Sequence, residues 1–96
     1  MDKNDLTNDL LMSLNSAEKE YKLYKFELEL VKAELSLNIQ WDKVNENRMK
    51  NGKPKITNES NRRYYFKLHF AEEDKKLLEL ELEYKFLLRE FEMVNK

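Results

Sequence analysis

Helix breakers are confined to one place in this chain. The only glycine (Gly52) and the only proline (Pro54) both fall in the stretch Asn45 to Asn61, NENRMKNGKPKITNESN. A long run of charged and apolar residues precedes it and another follows it, and neither contains Gly or Pro. An all-β fold of this length needs turn residues every 8–12 positions or so, and this chain has one such cluster. Two long helices joined at a turn satisfy the constraint, with Thr57 or Asn58 as the second N-cap and Asn4 or Asp5 as the first.

The apolar periodicity agrees. In the first run Leu10, Leu14, Ala17, Tyr21, Tyr24, Leu28, Val31 and Leu35 recur in alternating steps of 4 and 3, a sustained heptad pattern. In the second run Phe70, Glu73, Leu77, Leu80, Tyr84, Leu87, Phe91 and Val94 do the same, with Phe66 ahead of them. Segments such as Phe26–Leu30 also alternate with period 2. A helix with apolar stripes on opposite faces produces that alternation locally, and Leu, Glu, Lys and Ala favour helix. Folding the chain back pairs Leu14 with Phe91, Ala17 with Leu87, Tyr21 with Tyr84 and Tyr24 with Leu80. The paired numbers sum to 104 or 105, which centres the turn at residue 52, the position of Gly52. Pairing and composition therefore place the turn independently. The expected fold is all-α: an antiparallel helical hairpin as one domain, with helices over about 5–45 and 58–94 and a basic turn over about 46–57.

A second stripe lies on the opposite face of each arm. It holds Phe26, Leu30, Leu37, Leu78, Leu82 and Phe86. A lone hairpin leaves these side chains in water, and each gains roughly 1.5–3 kcal/mol on full burial. The expectation is a homodimer, as a four-helix bundle or coiled-coil assembly with these six residues at the interface. Glu73 is out of character in the main stripe. It reads either as an edge residue reaching solvent or as a polar position that sets register.

Several functions are excluded or disfavoured. The chain has no cysteine, so disulfides, thiolate metal sites and Cys nucleophiles are absent. Its one histidine, His69, is preceded at i−3 by Phe66, so the Glu-x-x-His element of a bundle di-iron site is missing. His69 and Glu73 stand at i and i+4, but two ligands do not make a metal site. No Gly-rich phosphate loop occurs, and neither a cofactor nor a small-molecule substrate is implied. The expected protein is not an enzyme. No run is apolar enough to span a bilayer and no signal peptide is visible, which gives a cytoplasmic expectation.

Charge is the remaining signal. From Lys43 to Lys67 there are eight basic residues and two acidic ones, a local charge of +6; the chain totals −1, so the remainder carries −7. The tip is basic and the arms are acidic. Two readings follow. In one, Arg48, Lys50, Lys53, Lys55, Arg62 and Arg63 contact nucleic-acid phosphates while Trp41, Tyr64 and Tyr65 stack on unpaired bases. In the other, the acidic arms or the apolar stripe bind a protein. A solvated turn or a purely structural oligomerisation module would carry much the same residues.

Trp41 near the end of the first arm, Ile56-Thr57-Asn58-Glu59 leading into Arg62, and the closing Leu87-Leu88-Arg89-Glu90-Phe91-Glu92 complete the pattern. With them the whole chain resembles the small, charged helical-hairpin accessory proteins of bacteriophages and prophages of low-GC Gram-positive bacteria. The resemblance implies an accessory role in recombination, replication or counter-defence, exerted in the host-cell cytoplasm. It transfers no catalytic residue. It favours binding and inhibition of a host or defence protein, of the anti-CRISPR kind for example, with nucleic-acid binding as the alternative.

Overall fold

The structure, a computed structural model, describes residues 3–95, the first two of these by their backbone alone. It is all-helical. Among the described residues there are four helices and no strand: α1 (Lys3–Asn38), α2 (Trp41–Lys50), α3 (Glu59–His69) and α4 (Ala71–Val94). The described residues up to Glu29 and from Glu72 form one compact unit, and Leu30–Ala71 form a second.

The first unit pairs most of α1 with α4. Tyr21 and Tyr84 stack, with ring centroids 5.8 Å apart and planes 22° from parallel; this is one of the pairs that the heptad register requires. The Lys76 ammonium lies 4.8 Å from the centre of the Tyr24 ring, and Ala17, Glu20, Glu83 and Leu87 line one cleft. Contacts thus ascend α1 as they descend α4, the order of an antiparallel pair. Leu14, Ala17 and Leu28 are buried, all three on the main stripe. Val31 on that stripe is half exposed. Outside the seam, Glu18 holds Lys22 at 2.6 Å and Glu81 holds Lys85 at 2.8 Å, each at spacing i, i+4. The bond to the carboxylate, and its charge, raise the pKa of each lysine. Exposed pairs of this kind contribute little to stability.

The second unit holds the end of α1, then α2, the turn and α3. The helix expected over 5–45 is two helices, interrupted at Ile39 and Gln40. Asn38 turns its amide back onto the Glu34 carbonyl at 2.9 Å, the local competition that makes asparagine a poor helix-interior residue. Gln40 is extended (φ −106°, ψ 99°) and begins α2 without a side-chain cap. The expected turn over 46–57 is also shorter, because α2 continues to Lys50 and residues 46–50 are helical.

Termination of α2 follows from Gly52. Its φ is +73°, and it is the one described residue with positive φ. The Gly52 N–H donates to the Met49 carbonyl at 3.1 Å and the Lys53 N–H to the Arg48 carbonyl at 2.8 Å. These two bonds make a Schellman cap, which needs the left-handed conformation that glycine adopts without a Cβ penalty. Asn58 then caps α3, its side chain accepting from the Asn61 N–H at 2.8 Å.

The expected 58–94 helix is divided at Phe70, which leaves helical geometry (φ −104°, ψ 17°). Lys67 and His69 fall in the last turn of α3, and Glu72, Glu73 and Asp74 in the first turn of α4. Cations at a helix C-terminus and anions at an N-terminus each oppose the local dipole end, so the charge order favours two helix ends here. Within the described residues α1 runs from Lys3, so Asn4 and Asp5 are helical residues rather than the N-cap.

Candidate functional site

In the second unit, the turn after α2 is pinned to the helix by two side chains. The Asn45 amide donates from Nδ2 to the Ile56 carbonyl at 3.0 Å and accepts at Oδ1 from the Ile56 N–H at 2.7 Å. Arg48 Nε donates to the Pro54 carbonyl at 2.9 Å. Ile56, an isolated apolar residue in a polar loop, is buried as a result, at 5% exposure.

An aromatic cluster anchors the other side. Trp41 meets Tyr65 and Phe66 edge to face, at 5.5 and 5.8 Å between ring centres. Tyr65 stacks on His69 at 6.0 Å, and His69 meets the Phe70 ring edge-on at 4.9 Å. The Arg62 guanidinium lies 5.0 Å from the Trp41 ring centre, and Lys32 lies 5.6 Å from that of Phe70. Histidine 69 is therefore one ring in an aromatic stack. Among the described residues no group of three or more His, Cys, Asp or Glu is placed to hold a metal ion.

This arrangement sorts the nine tip residues singled out from the sequence. Trp41 is half-buried with Arg62 over its ring, so these two residues engage each other. Lys50 and Arg63 are ion-paired with Glu46 and Glu59, at 3.6 and 2.8 Å. Arg48, Lys53, Lys55, Tyr64 and Tyr65 are brought together instead. Arg48, Lys55, Tyr64 and Tyr65 line one cavity, with Ile56 and Leu68. Arg48, Lys53 and Tyr65 line another, with Lys43 and Val44. Sequence reasoning missed Asn45 as the pin and Leu68 as a wall. The lone Ile56 between lysines and polar residues was the available signal that this loop folds onto something.

The residues expected at a dimer interface are exposed: Phe26, Leu30, Leu37, Leu78, Leu82 and Phe86. Within the first unit, Phe26 is 58% and Phe86 60% accessible. Leu23 and Met93 of that unit are exposed as well. Glu73 is also exposed, in keeping with an edge position.

No helix among the described residues is long and apolar enough to cross a membrane. No protein-family model, curated protein or solved structure matches the chain.

Proposed function

We propose that the protein acts by binding, without catalysis, as a helical hairpin that pairs with a second copy of itself. The supporting observation is the exposure of Phe26, Leu78, Leu82 and Phe86 in a unit whose own core is thin. Burying these four side chains contributes roughly 1.5–3 kcal/mol each, a large share of the stability of a small domain. Two copies joined through these faces give a four-helix bundle or coiled-coil assembly.

The assembly then binds and modulates a protein of the host cell or of its defences, within the cytoplasm. The phage-type resemblance supports that setting, and the acidic arms supply charge for a basic partner surface. A second reading, nucleic-acid binding, is favoured by the cavities of the second unit.

Capture from host lysate with immobilised protein, followed by mass spectrometry, tests the first reading. A partner is expected with wild type and with Lys53→Glu/Lys55→Glu, and is lost with Leu82→Glu/Phe86→Glu while far-UV circular dichroism stays unchanged. Equal capture by both variants would sink it, and a stable dimer with no partner would reduce the protein to a structural oligomerisation module.

A further inference from the structure

Two adjoining cavities in the second unit share Arg48 and Tyr65 as lining residues. One is about 250 Å³ and the other about 400 Å³. Four cations line the pair: Lys55 in the smaller, Lys43 and Lys53 in the larger, and Arg48 in both. No acidic side chain lines either. Of the nearby acids, Glu46 and Glu59 pair with Lys50 and Arg63, neither of which borders the two cavities, and Asp42 and Glu46 line a separate recess that Lys55 also borders. The cationic lining of these two cavities suits an anionic ligand.

The aromatic groups narrow the ligand further. Tyr65 is held by Trp41 and His69, so its ring is a fixed wall between the two recesses. Tyr64 beside it is 63% exposed. With Ile56 and Leu68 it offers an apolar surface next to the cations. A ligand that is polyanionic and also carries flat apolar faces matches both features. Single-stranded nucleic acid has that chemistry, whereas a duplex hides its base faces in the stack. The pinning of the loop by Asn45 and Arg48 means that the recesses exist before any ligand arrives.

We infer that the Arg48–Tyr65 cavities bind single-stranded nucleic acid, with one base against Tyr64 and the flanking phosphates on Lys43, Arg48, Lys53 and Lys55. Trp41 and Arg62 hold each other and take no part. This site is separate from the apolar face of the first unit, and either can fail without the other.

Fluorescence anisotropy with a labelled oligothymidylate tests it. Binding is expected to weaken with salt at a log–log slope of about −2 to −3, since each phosphate contact on a single strand contributes about −0.7. Lys53→Glu/Lys55→Glu, at two exposed positions, should abolish most binding. Tyr64→Ala should weaken it about tenfold, the loss of one stacked base, and Tyr64→Phe should leave it unchanged. Circular dichroism of each variant should match wild type. No binding at low salt would overturn the inference. So would an unchanged affinity in Tyr64→Ala, duplex binding as tight as single-strand binding, or equal affinity for a poly-glutamate peptide, which would make the site one for acidic peptides.

Discussion

The most informative single change is Asn45→Ala. The Asn45 amide makes both hydrogen bonds to the backbone of Ile56, at 3.0 and 2.7 Å, so one side chain acts as a rung between α2 and the loop. Truncation removes both bonds and leaves an N–H and a C=O without partners beside a residue that is 5% exposed. A typical hydrogen bond contributes about 0.5–1.5 kcal/mol net, and a buried group left unpaired costs about 1–3 kcal/mol. Partial water entry lowers that, so about 2 kcal/mol is expected for the pair, or roughly a 30-fold change in the local opening equilibrium.

The assay is amide hydrogen exchange at Ile56, read alongside urea denaturation followed by circular dichroism. If the loop opens on its own, the global midpoint stays and Ile56 exchange accelerates about 30-fold. If loop and helices unfold together, the midpoint falls as well. Asn45→Asp should be at least as damaging at neutral pH. It keeps an acceptor for the Ile56 N–H but sets a second carboxylate oxygen against the Ile56 carbonyl. Unchanged Ile56 exchange in Asn45→Ala would refute the reasoning.

Three further outcomes follow from the same geometry. Gly52→Ala should destabilise by about 1 kcal/mol in urea denaturation, from left-handed backbone alone, because a Cβ at this position meets nothing within 4 Å. Asn58→Ala should cost about 1 kcal/mol through loss of the α3 cap, with Asn58→Asp close to wild type. Phe70→Ala should cost about 3–5 kcal/mol in the same measurement, since this ring is 4% exposed and is the most buried of the core side chains.

The elements written most plainly in the sequence are those governed by local chemistry or strict periodicity. Gly52 marks the end of α2 because one residue must take positive φ. Asn58 marks the start of α3 because a short amide can reach the N–H of Asn61. The Tyr21–Tyr84 stack was legible because heptad register fixes which residues face each other. The breaks at Gln40 and Phe70 were not, since each is a departure of one or two residues from a helix without Gly or Pro. At Phe70 the switch from Lys67 and His69 to Glu72, Glu73 and Asp74 was a readable sign. At Gln40 the side-chain bond of Asn38 has no periodic signature.

The candidate site was half legible. Charge counting found the basic segment, but it treats every cation alike. Only side-chain geometry separates Lys50 and Arg63, which are ion-paired, from Lys53 and Lys55, which border the cavities. Trp41 reads in sequence as an exposed stacking platform; in the structure it is half-buried against Tyr65 and Phe66, with Arg62 over its ring.

Sedimentation equilibrium of the wild-type chain at micromolar concentration tests the central claim most directly. The expected mass is twice the 11.7 kDa of one chain, reverting to one chain in Leu82→Glu/Phe86→Glu. A wild-type protein that stays at the single-chain mass, with Phe26, Leu82 and Phe86 remaining in water, would contradict it.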